Sequence, residues 1–139
     1  MSTIRVQIVS AEKDLFDGEA TLVVATAVYG EIVILPNHAP LLAELKPGQV
    51  RLHLEDGTET VFYISGGFLE VQPNLIIILA DTAMRAENVD EASAMAAKER
   101  AEKLLGQHAE DIDYARARAD LAEALAQISA LQRFKDLLK

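Results

Sequence analysis

The sequence predicts an α+β protein in which an antiparallel β-sandwich, or flattened barrel, precedes an antiparallel two-helix hairpin. All four prolines and six of the seven glycines precede residue 81, where short apolar runs alternate with polar residues. Such regular punctuation is typical of antiparallel β-structure. After residue 81 the chain is rich in Ala, Glu, Lys, Arg and Leu and contains no proline, which favours helix. We therefore expect a β-sandwich domain at residues 1–86 and a helical hairpin domain at residues 87–139.

The β half divides into eight to ten predicted short strands. Residues 4–8 and 50–55 alternate between apolar and polar side chains, as strands with one buried face do. Asp56-Gly57 follows the second of these segments and predicts a tight hairpin turn, because glycine tolerates positive φ. Gly66-Gly67 predicts a bend or bulge. Residues 75–80 are apolar on both faces, which predicts a strand between two packed layers.

The helical half contains signals for two helix boundaries. Asp90 is a predicted N-cap of the first helix, and Gly106 is expected to end it in the left-handed conformation. Residues 107–111 form a predicted polar link in which His108 is solvated, and the second helix is expected to start near Asp111 or Asp113.

Each predicted helix carries a narrow stripe for packing. The stripe on the first helix has mostly small side chains: Ala94, Ala97, Ala101 and Leu104. The stripe on the second helix has larger ones: Tyr114, Ala117, Leu121, Leu125, Ile128, Leu131 and Leu138. A hairpin with so little core of its own is expected to be marginally stable and able to detach from the sandwich.

Composition excludes several functional classes. The formal net charge of −9 argues against nucleic acid and anionic lipid as primary partners, because both need a basic footprint. The chain has no cysteine, no predicted secretory signal and no apolar run long enough to cross a membrane. It lacks a phosphate-binding loop, a dinucleotide fingerprint and a hydrolase elbow, and its three histidines are scattered. We therefore expect no enzyme activity, no metal and no cofactor.

Two motifs carry a resemblance to a known family. Residues 30–41 read GEIVILPNHAPL and residues 65–71 read SGGFLEV. Both resemble signatures of the epsilon subunits of F-type rotary ATP synthases, and the likeness extends in order over essentially the whole chain. Val33 and Asn37 stand where the family pattern has glycine. Asn tolerates positive φ and Val does not, so the shape of the segment is expected to be kept at position 37.

The resemblance implies a function. It predicts a non-catalytic central-stalk (rotor) subunit that couples proton flow to rotational ATP synthesis and inhibits ATP hydrolysis through its C-terminal helices. The implied partners are the gamma subunit, the c-subunit ring and, when the hairpin is extended, the alpha and beta subunits. The implied location is peripheral, on the cytoplasmic face of a bacterial plasma membrane, although a plastid source stays open. The alternative is a β-sandwich adaptor whose helical hairpin regulates another complex.

The resemblance also implies site residues. Segment 30–41 would present Glu31 to the c-ring and His38 to gamma, with Pro36 and Pro40 stiffening it. From the residues alone, a plain well-made turn remains equally open. The basic residues of the second helix would favour docking on an acidic part of the beta subunit: Arg116, Arg118, Arg133 and Lys135.

Some members of the family bind ATP on the folded hairpin. Here Asp90 keeps the acidic position of their motif, whereas Ser93 replaces its arginine. Asp90 and Arg100 therefore remain only weak candidates for nucleotide contact.

Overall fold

The computed structural model describes residues 2–107 and 111–139. Within them the chain forms nine β-strands, one 3-10 turn and two α-helices, which confirms the predicted α+β fold. The strands are β1 (Ile4–Ser10), β2 (Asp14–Ala20), β3 (Leu22–Ala27), β4 (Gly30–Ile34), β5 (Leu41–His53), β6 (Glu59–Ile64), β7 (Gly67–Gln72), β8 (Leu75–Ala80) and β9 (Ala83–Arg85). The 3-10 turn Ala86–Asn88 leads into α1 (Glu91–Gly106), and α2 spans Asp111–Leu137.

The strands form one hydrogen-bonded sheet that folds over into two layers. The first layer has the order β2-β1-β8-β7 and ends on the first half of β5; only the β1–β8 pair is parallel. The second layer contains β4, β3, the second half of β5, β6 and β9. The inward side chains of both layers make a single apolar core, as expected of a sandwich.

Strand β5 belongs to both layers. Its first half, residues 41–45, pairs with β7, whereas residues 48–53 pair with β6. The change occurs around Pro47, a residue that strands accept only at edges and irregularities. Gly48 lies so close to β3 that an added Cβ would stand 2.5 Å from Cβ of Thr26. Glycine at position 48 therefore permits the close approach of two strands at the bend.

The expectation that β8 is buried on both faces is wrong. Ile76 and Ile78 are fully buried in the core, but Leu79 is 55% exposed. The outward side chains of β8 belong to the outer face of the first layer, and no helix in the described part of the chain covers this face. An apolar run alone could not distinguish a covered strand from one that carries an exposed apolar face.

The predicted turns are confirmed. Residues 54–58 connect β5 to β6 with Gly57 at φ +89°. Gly66 and Gly67 have φ near +138° at the start of β7. Asn37 has φ +70°, so it keeps the left-handed conformation, and Val33 lies within β4 without positive φ.

The helix boundaries match the prediction with one correction. The Asp90 carboxylate accepts a hydrogen bond from the Ser93 backbone N–H at 3.2 Å, as an N-cap does. Gly106 is the last residue of α1, but it is not among the glycines with positive φ, so the expected left-handed ending is wrong. Gln107 ends the helix instead, with its N–H donating to Leu104 O. The predicted link, including His108, lies partly outside the described residues, and α2 begins at Asp111.

The predicted stripes are only partly right. On α1, Ala94 and Ala101 are buried but Leu104 is 42% exposed. On α2, Tyr114 and Leu125 are exposed, whereas mainly alanines are buried. The buried residues of α2 are Ala117, Ala124, Ala126, Ala130 and Leu131. The reason is that α2 contacts α1 on one side and β5 and β6 on another, so small side chains are needed where backbones come close.

Candidate functional site

The hairpin is folded down onto the outer face of the second layer. Val61 and Tyr63 project outward from β6 and are 4% and 2% exposed. They pack with Ala126, Ala130 and Leu131 of α2 in a small apolar cluster separate from the main core. A contact built mostly from alanines buries little area for each residue, so its hydrophobic contribution is modest.

Polar contacts fix the orientation of the hairpin. The Glu59 carboxylate, 7% exposed, accepts two hydrogen bonds from the Arg133 guanidinium, at 2.7 and 2.8 Å. His53 Nε2 lies 3.0 Å from Oε1 of the same carboxylate. Gln49 Nε2 donates to Ser129 Oγ at 3.0 Å. A bidentate pair is among the stronger and more directional contacts available, so Glu59 is the main polar anchor of the hairpin.

The pKa values of these groups follow from the contacts. The hydrogen bonds from Arg133 hold the pKa of the Glu59 carboxyl below its ordinary value. The same bonds raise the pKa of Arg133. Burial under the hairpin raises the pKa of the Tyr63 phenol, with a smaller opposing contribution from Gln127.

Glu31 and His38 lie at opposite ends of β4 and are not brought together. Glu31 is at the start of β4, beside the turn whose tip carries the fully exposed Tyr29. Its carboxylate is 3.6 Å from Arg51 Nη2 on β5. His38 lies in the turn after β4, where its backbone N–H donates to Leu35 O and its ring Nδ1 is 2.6 Å from Ala39 O.

The turn that contains His38 leads into an exposed apolar surface. Pro36 lies within this turn, which the bond from His38 N–H to Leu35 O closes. Pro40 follows the turn and borders β5 and β7. The strand register places the outward side chains of the first layer next to one another: Phe68 lies opposite Leu79, and Leu79 opposite Val9. Side chains directly opposite across strands share a face. We call this surface the apolar face and define it by Val9, Leu42, Phe68, Ile77 and Leu79.

The apolar face is largely open to solvent. Leu42, Phe68 and Leu79 are 67%, 49% and 55% exposed. The two acidic side chains beside them, Glu44 and Glu70, are exposed as well. Contiguous apolar exposure of this kind marks an interaction surface.

The four basic residues predicted to act together on α2 divide into two pairs. Arg133 and Lys135 hold the folded hairpin, through Glu59 and through Glu91 of α1 respectively. Arg116 and Arg118 are exposed, and neither forms an ion pair with a side chain in residues 2–107 or 113–139. Within these ranges the structure therefore brings two of the four predicted residues into ion pairs.

A cleft of about 360 Å³ lies between α1 and α2. Arg100 lines it together with Asp120 and Glu123, whereas Asp90 does not. Burial, and then the charge of Asp120, raise the pKa of the Glu123 carboxyl. One arginine facing two carboxylates is a poor setting for a polyphosphate. The two weak nucleotide candidates are not brought together by the fold.

Within the part of the chain that the structure describes, no group of three or more His, Cys, Asp or Glu side chains is arranged to hold a metal ion. None of the helices there combines the length and the apolar character that crossing a bilayer requires.

Sequence patterns did not indicate Glu59 and Gln49, which bond the hairpin, or Arg51, which pairs with Glu31. Glu59 and Arg133 are 74 positions apart, and no local motif joins them. His53 and Glu59 face each other across the hairpin because the connection between the strands has five residues, 54–58. A two-residue turn at Asp56-Gly57 would have placed His53 opposite Thr60 instead.

Family comparisons cover both halves of the chain. Residues 3–86 match the family described as ATP synthase, Delta/Epsilon chain, beta-sandwich domain. Residues 87–132 match the family described as ATP synthase, Delta/Epsilon chain, long alpha-helix domain.

Curated relatives match at full length. An ATP synthase epsilon chain of Nitrosococcus oceani is 52% identical over 136 residues, which cover 98% of this chain and 97% of the relative. One from Stenotrophomonas maltophilia is 53% identical over 139 residues, covering 100% and 99%. One from Legionella pneumophila is 52% identical over 137 residues, covering 99% and 98%.

Two solved structures share the fold. A chain in the cryo-EM structure of the Euglena gracilis mitochondrial ATP synthase, OSCP/F1/c-ring in rotational state 1, superposes with a TM-score of 0.84 at 21% identity, over 93% of this chain and 81% of that one. A chain in the Tetrahymena thermophila mitochondrial ATP synthase central stalk/c-ring structure gives a TM-score of 0.63 at 16% identity, over 94% and 97%.

Proposed function

Because the chain belongs to the delta/epsilon-chain family of ATP synthases, we propose that it acts as a non-catalytic subunit of the rotating central stalk. In this role it couples proton flow to ATP synthesis and restrains ATP hydrolysis. The family match favours this assembly over an adaptor in another complex.

One observation carries the proposal: the two outer faces of the sandwich are used differently. The outer face of the second layer holds the hairpin through a few alanines and one bidentate ion pair. The outer face of the first layer exposes an apolar surface. One outer face thus carries a weakly held hairpin and the other is open to a partner, an arrangement that fits a regulatory subunit of the stalk.

We assign the apolar face and the neighbouring turn with His38 to the gamma subunit. Pro40 joins this turn to Leu42 of the apolar face, so one partner surface can cover both. The end of the sandwich with Tyr29 and Glu31 is assigned to the c-ring. It exposes an aromatic ring and a carboxylate beside each other at the tip of the β3–β4 turn.

The hairpin is assigned the inhibitory role. Detachment from the sandwich would release Arg133 from Glu59, and separation of α2 from α1 would release Lys135 from Glu91. Both would then join the exposed Arg116 and Arg118. The extended α2 would then present four cations to an acidic surface on the alpha and beta subunits, where opposite charges favour docking. We propose that residues 1–86 and 87–139 act as separate units for this purpose.

The location follows from the assembly. The relatives come from Nitrosococcus, Stenotrophomonas and Legionella, which are bacteria. We therefore place the subunit peripherally on the cytoplasmic face of a bacterial plasma membrane. No nucleotide site is proposed, because the cleft between the helices sets one arginine against two carboxylates.

The gamma assignment is tested with Phe68→Glu, measured by binding to the α/β complex that contains gamma from the same enzyme. A charge in an apolar interface loses its hydration, so we expect affinity to fall about tenfold or more. The control is Leu125→Glu, on an exposed position of α2, which should bind like the native chain. Equal affinity of all three chains would contradict the assignment.

The inhibitory role is tested by deleting residues 88–139 from the chain in the assembled enzyme. We expect a higher rate of ATP hydrolysis, since the sandwich would still bind while the blocking element is gone. Co-purification of the shortened chain with gamma serves as the control for assembly. An unchanged rate in a fully assembled enzyme would remove the inhibitory role and leave the stalk role intact.

A further inference from the structure

Five charged or titratable side chains meet where the hairpin touches the sandwich. We call them the latch cluster: Glu31, Arg51, His53, Glu59 and Arg133. Glu59 is at its centre, with both carboxylate oxygens hydrogen-bonded to Arg133 and with His53 3.0 Å away. Glu31, on β4, is at its rim and 53% exposed.

Arg51 is a diagonal cross-strand neighbour of Glu59, because Arg51 lies opposite Val61 and His53 lies opposite Glu59. Its guanidinium is incompletely bonded. Its Nη2 is 3.6 Å from Glu31 Oε1, a contact of ionic range but too long for a good hydrogen bond. Its Nε is buried and has no hydrogen-bond partner among the residues that the structure describes. The charge of Arg51 also helps to lower the pKa of Glu59, so the two groups interact without a direct bond. A buried guanidinium donor without a partner costs desolvation free energy. Arg51 therefore gains free energy if a carboxylate that accepts better hydrogen bonds becomes available.

We propose that Arg51 is a shared counterion that couples Glu31 to the docking of the hairpin. With the hairpin docked, Arg133 occupies Glu59, and Arg51 turns towards Glu31. When the hairpin leaves, Glu59 loses its bidentate partner, and Arg51 takes that place. Glu31 therefore favours the docked hairpin, because it keeps Arg51 away from Glu59.

The coupling gives Glu31 a second role beyond contact. This step rests on the proposed function, which brings Glu31 to the ring. A cationic or hydrogen-bond-donating group that engages the Glu31 carboxylate would release Arg51 to compete with Arg133 for Glu59. Docking of the sandwich would then loosen the hairpin on the same molecule, without any contact between the partner and the helices.

The coupling is measured on the isolated full-length chain, where no partner is present. The chain has no cysteine, so Ala130→Cys introduces a single thiol at a position that is 0% exposed under the docked hairpin. Its reaction rate with a disulfide reagent, divided by the rate in denaturant, reports the fraction of molecules with the hairpin open. Far-UV circular dichroism checks that each variant is folded.

The proposal predicts how each further substitution in the Ala130→Cys chain changes the normalised reaction rate of the thiol. Glu31→Gln should raise the normalised rate about twofold to fivefold, the range of a partly exposed ion pair. Arg51→Gln should lower it by a similar factor, because the open form loses its replacement partner for Glu59. Arg133→Gln should raise it about tenfold or more. Arg116→Gln, the matched exposed arginine of α2, should leave it unchanged.

The double variant separates this coupling from direct attraction between Glu31 and Arg133. With Arg51 absent, Glu31→Gln should have no further effect. An equal effect of Glu31→Gln with and without Arg51 would overturn the proposal, as would a higher rate in Arg51→Gln or an unchanged rate in Glu31→Gln alone. All these outcomes are independent of whether the ring contacts Glu31, so failure here leaves the stalk role untouched.

Discussion

Single residues determine how closely the strands of the sandwich approach. At the start of β7, Gly67 has φ +137°, and a Cβ added there would lie 2.0 Å from Leu79 O on β8. Both the backbone conformation and the space exclude a side chain. Glycine at position 67 is thus required by the contact between β7 and β8.

We expect Gly67→Ala to destabilise the protein by about 3 kcal/mol or more, since it combines left-handed strain with a backbone clash. Denaturant unfolding of the purified chain measures this. Gly106→Ala is the matched control: an added Cβ there meets nothing within 4 Å, and alanine is the better helix former, so stability should stay equal or rise slightly. Equal stability of the two variants would show that the space around Gly67 is adjustable.

Glu59 makes the docking of the hairpin sensitive to acid. Its pKa is lowered from the ordinary 4.5 by Arg133, with smaller contributions from His53 and Arg51. Arg133 is the largest cause of the lowered pKa and bonds Glu59 only in the docked state, whereas His53 and Arg51 stay beside Glu59 in both states. The docked state therefore binds the proton less tightly than the open state. The stabilisation is therefore complete above about pH 4.5 and is lost as the pH falls through the lowered value.

Cleavage of α2 by pepsin at a series of acidic pH values should follow this loss. In Glu59→Gln the hairpin should be looser at neutral pH and should gain less cleavage on acidification. Identical pH profiles for native chain and variant would exclude Glu59 as the titrating anchor.

Local chemistry predicted the residue-scale features that depend on neighbours in sequence. Gly57, Asn37 and the Asp90 cap follow from turn and cap preferences that act over a few residues. The Glu59–Arg133 pair and the Arg51–Glu31 contact do not, because the paired residues are 74 and 20 positions apart and meet only through the packing of α2 and the strand order.

At the scale of elements, each helix depends on its ends and on its packing face. The Asp90 carboxylate bonds both the backbone N–H and the hydroxyl of Ser93, each at 3.2 Å. Helix α1 buries only Ala94 and Ala101 and packs along α2, so we expect its N-cap to contribute measurably to its stability.

We expect Asp90→Ala to cost about 1 kcal/mol and to increase hydrogen exchange in the first turn of α1. The control Glu99→Ala, at an exposed position of the same helix, should change exchange little. Equal protection in both variants would mean that α1 is held by α2 rather than by its own cap.

The elements themselves were predictable, but the face that each helix buries was not. Apolar periodicity favoured a leucine stripe on α2, whereas alanines make the close contacts. A helix that packs against two neighbours at once has two contact faces, and a single-stripe pattern cannot represent both. The same limit explains β8, whose exposed Leu79 belongs to a face that is covered by nothing within the described chain.

For the whole molecule, the main core is formed entirely by residues between Ile4 and Ala83. We therefore expect the sandwich to fold without the hairpin. The hairpin contributes to the separate cluster around Tyr63 and Val61. The two units therefore share a contact surface but no core.

We expect a chain ending at residue 86 to remain folded and to expose Tyr63. The hairpin raises the pKa of this phenol by burial; without it, the pKa should fall towards the ordinary 10.0. In the full chain, Tyr63 therefore stabilises docking fully below about pH 10. This stabilisation is lost as the pH rises through the raised pKa of the docked state. Ultraviolet titration measures this, with Tyr63→Phe in both chains as the control. If the pKa of Tyr63 were the same in the full chain and in the chain ending at residue 86, this prediction would be contradicted.

Strand β5 runs without interruption from one layer into the other around Pro47 and Gly48. Sandwiches whose layers touch only through side chains can slide at the midplane. Here a peptide backbone crosses that plane, so a sideways load on one layer passes to the other along covalent bonds. If the apolar face binds a rotating partner, the second layer and the hairpin that lies on it are expected to rotate together with that partner.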